Sequence, residues 1–311
     1  MKKTAFRWMN PFVMLCLSLF LGVHNENGWA QDSGKDTDKK AAENKGAAEK
    51  VSFLRVKQDN DGKPESLQVG IARYEFVDGP NKGAYVDLIG AVHVGTKEYY
   101  QTLNDRFKTY DAMLYELVAD PKMNKPNQRA ERGGFNPVGA MQTGMKDVLK
   151  LSFQLDEVDY SPANFVHADM SPDEFGEDMK QRGDGFVGMF ARMMGAGLIV
   201  QNSKKGATQQ SEMMAAMLAK DTIKLRRVMA EQFESMDSQM AGLADKNGKS
   251  TLLTERNTKA FSVMEKQLQA GKKKLAIFYG AGHLLDMHER MIRDYKTKQV
   301  KFEWLDAWPL K

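Results

Sequence analysis

One cysteine is present in 311 residues, at position 16, inside an apolar run near the N-terminus. Downstream of that run there is no disulfide, no thiolate nucleophile and no cysteine-based zinc site, so any metal must be held by His, Asp or Glu. Histidine is scarce too: beyond residue 30 only His93, His167, His283 and His288 remain. A strong charge of one sign is missing. The formal net charge is +4, from 45 Lys and Arg against 41 Asp and Glu, which gives no reason to expect a nucleic-acid partner. No apolar run reaches the about 20 residues that cross a bilayer, so no stable transmembrane anchor is expected. The G-x-S-x-G elbow, the G-x-x-x-x-G-K-[ST] phosphate loop and the H-E-x-x-H helix are all absent.

The first thirty residues have their own character. Lys2, Lys3 and Arg7 precede the apolar run FVMLCLSLFLGV (12–23), and Gly28, Trp29 and Ala30 supply small residues at the first and third places before a cut. This is the layout of a secretory signal peptide over 1–30, cleaved near Ala30, and it predicts an exported protein, periplasmic or extracellular. Residues 31–50 lack aromatic and branched apolar side chains, so they read as a flexible linker. A single folded domain is expected over 51–311.

Its beginning reads as strands. Asp61-Gly62 and Asp78-Gly79 are hairpin signals between apolar runs that end in YVDLIGAVHV (85–94). Residues 96–109 predict a helix capped by Thr96, with Tyr99, Leu103 and Phe107 on one face, and 111–118 a buried strand. Strand, helix and strand make a βαβ unit, which favours parallel pairing. The middle changes character: residues 132–144 read as a loop, 163–170 as a short strand, and Ser171 with Glu174 as a capping box. A helical insert follows over about 171–270, rich in methionine (Met189, Met193, Met194, Met213, Met214, Met217, Met229, Met236 and Met240), with hinges at Gly195, Gly197 and the NSKKGATQQ loop. Such helices form a core, a lid or an adaptable apolar surface. Sheet pattern returns with KKKLAIFYG, the helix AGHLLDMHERMIRDY and the strand KQVKFEWLDAW. The fold class is therefore α/β: a central mixed β-sheet flanked by helices, with the Met-rich insert between its two halves.

The chemistry-bearing residues cluster at strand ends. LIGAVH and FYGAGH each place a histidine three residues after a glycine, at the close of an apolar run. Ligand sites in open α/β sheets gather at the carboxyl ends of strands, and glycine there permits a tight turn or a positive φ. Gly90 with His93 and Gly280 with His283 are thus placed at the rim of the sheet. Glu116, in LYELV, falls near the end of the next strand, where a buried acid needs a partner. If 163–170 is a strand, His167 and Asp169 share a face, and can bind a metal together or form an oriented pair. Arg256, in TERN, can hold a substrate carboxylate or an oxyanion. Tyr160 is a hydrogen-bond donor or a buried core residue. His288, about 140° around a helix from His283, reads as a solvated surface residue.

In this order, LIGAVHVG, YELV, TERN and FYGAGHLLDM resemble the TraB/PrgY/GumN group, whose wider superfamily includes the TIKI proteases, the erythromycin esterases and the ChaN-like haem-binding lipoproteins. The likeness covers roughly 84–118 and 250–306. It implies a mixed-sheet α/β fold with both GxxH motifs in one site, and in the TIKI branch divalent-metal-dependent proteolysis. Gly90, His93, Glu116, Arg256, Gly280 and His283 match the family pattern; His167 lies outside it.

These readings lead to an exported metal-dependent hydrolase, a peptidase first, acting on a peptide or small-molecule substrate. His93, Glu116 and His283 are the expected ligands of Mn, Co or Zn, with His167 and Asp169 as further ligands and Arg256 on the substrate. Two alternatives stand beside it: a metal-independent esterase using His and Glu, and a non-catalytic periplasmic protein that binds haem, iron or a peptide.

Overall fold

The structure is a computed structural model and describes residues 51–119, 149–181, 204–240, 250 and 252–311. The leader, the linker, the 132–144 loop and Met189, Met193, Met194, Gly195 and Gly197 lie outside the described residues. Ser52–Lys311 form one compact unit.

A seven-stranded mixed sheet organises that unit. Strands β1 (Leu54–Gln58), β2 (Pro64–Glu75) and β3 (Tyr85–Ala91) form antiparallel hairpins. Their turns contain Gly62 at φ +76° and Gly79 at φ +69°, the left-handed geometry that the two Asp-Gly pairs announce. Strand β2 is the pivot. Its first half pairs with β1 and its second half with β3 along one edge, while β9 (Lys298–Pro309) runs antiparallel along the other. From β3 onward the sheet is parallel, in the order β3, β8 (Lys274–Gly280), β5 (Ala112–Tyr115), β7 (Phe165–His167). A separate two-stranded ribbon joins β4 (Val94–Gly95) to β6 (Ser152–Phe153).

The helix after β3 forms as its pattern dictates. Helix α1 (Lys97–Phe107) is capped by Thr96, whose hydroxyl accepts from the Tyr99 amide at 3.2 Å, and it buries Tyr99, Leu103 and Phe107. Strands β3 and β5 are parallel, but β8 is inserted between them. The βαβ unit therefore closes only when the C-terminal part of the chain arrives, a strand order that local pattern does not encode.

A four-residue helix, α2 (Gln154–Glu157), follows the ribbon, and α3 (Pro172–Gln181) follows β7. The capping box is formed: the Glu174 amide donates to the Ser171 hydroxyl at 3.1 Å and the Ser171 amide to the Glu174 carboxylate at 2.8 Å. The insert continues with α4 (Lys204–Leu218), α5 (Thr222–Met240) and α6 (Thr254–Gln269). The NSKKGATQQ segment is thus helical from Lys204 on, not a loop. Met213 and Met229 are buried, whereas Met214 and Met217 are exposed.

Helix α7 (Leu284–Arg293) precedes β9. One face of the sheet packs Val86, Leu88, Leu114, Leu275 and Ile277 against Phe261 and Met264 of α6 and Met287 and Met291 of α7. The other face packs Phe278 on Phe107 of α1, with ring centroids 4.9 Å apart. Each large apolar side chain so buried contributes about 1.5–3 kcal/mol. His288 lies at the edge of this packing against Phe53 and Tyr74, half-buried rather than fully solvated. Leu284, Met287, His288 and Met291 form one i, i+3, i+4, i+7 stripe, and His288 Nδ1 lies 2.6 Å from the buried Tyr74 hydroxyl. Its position is set by that apolar stripe rather than by its angle to His283. Among the described residues, no helix is long and apolar enough to cross a membrane.

Candidate functional site

The parallel strands all point their carboxyl ends to one rim. His93 lies two residues beyond β3, Glu116 follows β5 directly, Asp169 lies two residues beyond β7, and His283 closes the 3₁₀ turn Ala281–His283 after β8. Register completes the arrangement: Ala91 of β3 pairs with Gly280 of β8, so the two GxxH turns leave the sheet side by side.

Helix α6 supplies the cation. Its buried face runs from Leu268 through Met264, Phe261 and Ala260 to Asn257 and Arg256, turning from apolar to polar in the first turn, where it reaches the strand ends. Arg256 is 6% exposed. Its Nε and Nη2 bind Asp169 at 2.9 and 2.6 Å, and Nη2 also donates to Glu116 Oε1 at 2.6 Å. Its Nη1 lies 3.5 Å from both the Leu252 carbonyl and His283 Nε2. Burial alone raises the Glu116 pKa, but the guanidinium, the neighbouring histidines and the Gly280 amide at 2.6 Å outweigh it and hold the carboxyl well below its ordinary 4.5.

The two imidazoles are set by amide side chains. Asn257 donates its Nδ2 hydrogens to the Asp286 carboxylate at 2.7 Å and the His283 carbonyl at 3.2 Å. Its Oδ1 therefore faces His283 Nδ1 at 2.7 Å, and Nδ1 carries the proton. Arg256 Nη1, which can only donate, faces the other nitrogen. Burial, with the nearby guanidinium, lowers the His283 pKa to about 4, so the ring is neutral at pH 7 with a lone pair on Nε2. That atom lies 3.7 Å from Glu116 Oε1. Burial lowers the His93 pKa as well, and His93 Nδ1 lies 3.1 Å from Gln154 Oε1.

Neither motif glycine adopts a positive φ; among the described glycines only Gly62, Gly79, Gly83 and Gly271 do. What Gly90 and Gly280 provide is space. A Cβ at Gly90 would meet the Gly70 carbonyl oxygen at 3.1 Å, where β1 and β3 abut along β2. A Cβ at Gly280 would stand 3.3 Å from Glu116 Oε2, 3.8 Å from His283 Cδ2 and 4.0 Å from His93 Nε2. One methyl-sized point thus touches all three side chains, and Glu116 keeps 11% exposure beside it. A Gly280→Ala chain is expected to fold with a melting temperature within a few degrees of wild type, while its Glu116 carboxylate shifts by a few tenths of an ångström. A crystal structure of the variant checks the shift, and an unmoved carboxylate would refute the steric reading.

The structure thus brings together His93, Glu116, His283, Arg256 and Asp169. His167 goes elsewhere: its Nε2 donates to the Leu117 carbonyl at 2.6 Å and its ring packs on Tyr115. The expected His167–Asp169 pair is not what organises this region, because β7 stops at His167 and alternation no longer governs Asp169. Arg256 is committed to two carboxylates, so its donors serve the site's own acids rather than a substrate carboxylate. Tyr160 is fully buried and holds Gln154 Nε2 at 2.9 Å. Asn257 and Gln154 were not singled out by sequence; the Arg-Asn pair of TERN was the only signal for either. Among the described residues, no group of three or more His, Cys, Asp or Glu is arranged to hold a metal ion. Neither a family model, nor a curated protein, nor a solved structure matches this chain.

Proposed function

We propose that this rim is the active site of a hydrolase that cleaves a carboxylic ester or amide, with His283 as general base. The observation that carries the reading is the fixed tautomer of His283: Asn257 holds Nδ1–H, and the Nε2 lone pair faces the cluster. Nε2 takes a proton from water as the water oxygen bonds to the substrate carbonyl carbon. The imidazolium so formed is stabilised by Glu116 at 3.7 Å. It returns the proton to the leaving group as the carbon–heteroatom bond breaks. Arg256 keeps Glu116 anionic, and Asp169 fixes Arg256.

A divalent ion fits this donor set poorly. Both oxygens of Glu116 already accept hydrogen bonds, from Arg256 and Gly280, and both oxygens of Asp169 accept from Arg256. No step is therefore assigned to a metal. Membership of the TraB/PrgY/GumN group and export after leader cleavage belong to the same proposal, supported by the sequence features that suggested them.

The test is hydrolysis of chromogenic ester and peptide libraries by the purified protein, before and after exhaustive chelation. Turnover that survives chelation is the expected result. Activity lost on chelation and restored by Mn, Co or Zn would return the site to metal chemistry. A Soret band in protein from an iron-replete host, with no turnover, would make it a haem-binding site instead.

A further inference from the structure

The histidine of the first motif is held by a residue far from it in sequence. Gln154 opens the four-residue helix α2 and is 4% exposed. The ribbon pairing of Val94 with Phe153 brings it beside the first GxxH turn. It then grips His93 twice: its amide donates to the His93 carbonyl at 2.9 Å, and its Oε1 faces Nδ1 at 3.1 Å. Its own Nε2 is anchored 2.9 Å from the Tyr160 hydroxyl. Tyr160 is in turn wedged between Tyr115 and Phe165, at centroid distances of 5.1 and 5.7 Å. With Gln154 Nε2 donating to Tyr160, the amide presents oxygen to the imidazole, and in this arrangement His93 Nδ1 is the donor.

We propose that Gln154 is a positioning residue for His93, holding it as the Nδ1–H tautomer with Nε2 turned toward the Gly280 turn. Asn257 does the same for His283 from a different element. The site thus contains two imidazoles in one tautomeric state, each set by a buried amide oxygen. For hydrolysis this divides the work: His283 removes one hydrogen of the attacking water, and His93 is held beside the same point at Gly280. This division rests on the hydrolase reading; the tautomer assignment does not.

The experiment uses the full chain labelled with ¹⁵N-histidine, in wild type, Gln154→Leu and Gln154→Glu. Long-range ¹H–¹⁵N spectra distinguish the tautomers without any substrate. Wild-type His93 is expected as Nδ1–H. Gln154→Leu is expected to move it toward Nε2–H while His283 stays unchanged. Gln154→Glu replaces a neutral acceptor by a charged one that Tyr160 can still satisfy by donating its hydroxyl. It is expected to keep Nδ1–H and raise the His93 pKa by about one unit. Where hydrolysis is detected, Gln154→Leu is expected to lower kcat by about 10–100-fold with little change in KM, by analogy with outer-shell partners of ligating histidines, and Gln154→Glu to recover most of it. Wild-type His93 found as Nε2–H would overturn the proposal. So would a His93 signal unaltered in both variants, or, if Gln154→Leu does not fold, a His93 pKa unmoved in Gln154→Glu. Tautomers that respond as expected in a protein that hydrolyses nothing would uphold the role of Gln154 and reject the hydrolase.

Discussion

Arg256→Met is expected to destabilise the fold by about 3–5 kcal/mol, the cost of leaving buried charges without their partner. Typical domains are stable by only about 5–15 kcal/mol, so much of the population would unfold under mild denaturant. The reason is local. Arg256 is the cation on Glu116 and on the fully buried Asp169 at once, and methionine fills its volume while satisfying neither. Arg256→Lys is expected to recover only part of the loss, since a single ammonium cannot reproduce the fork across two carboxylates. The pH dependence has a definite sign. Glu116 has a depressed pKa when folded, so its contribution is present above its unfolded value near 4.5 and is lost as pH falls below it. The gap between wild type and Arg256→Met should be widest at neutral pH and should narrow in acid. Urea midpoints at pH 7 and pH 4 measure it, and a variant within 1 kcal/mol of wild type at pH 7 would remove Arg256 from the centre of the network.

His283→Ala is expected to lower kcat/KM by about 10²–10⁴-fold, the usual contribution of a positioned general base. The wild-type rate should be level from pH 7 to pH 5 and fall as the pH passes through about 4, where Nε2 is protonated and can no longer accept from water. Loss of Asn257's partner costs the variant about 1–3 kcal/mol, so circular dichroism must accompany the kinetics. An acid limb near 6.5, the value of an unburied imidazole, would exclude His283 as the base. A variant with wild-type turnover would exclude it at any pH.

Much of this rim was legible in the sequence because chain direction and burial leave marks. An apolar run closing on Gly-Ala-x-His predicts a strand end, and strand ends in a parallel sheet share an edge; that rule alone brings His93, Glu116 and His283 together. Arg256 was legible as a charge placed at a helix start, although its role as the clamp on two acids needed the fold. Asp169 was found by type and misread by partner, since β7 is three residues long and alternation ends before it. The motif glycines were located correctly, but of the two reasons offered for them the positive φ fails: backbone angle is a local property, whereas the space that a Cβ would occupy depends on Glu116 and Gly70, which lie far away in the chain. Gln154 and Asn257 left little trace, because an uncharged amide in a short helix or first turn has neither periodicity nor charge to mark it. The insertion of β8 between β3 and β5 is a long-range pairing, and no local window contains it.

Strand β8 delivers the second histidine, and it docks between two strands that were made long before it. A nascent polypeptide halted ahead of residue 283 lacks the second imidazole, whatever its first half has already become. On the proposed hydrolase reading, such a product would lack its general base together with the strand that fills the gap between β3 and β5.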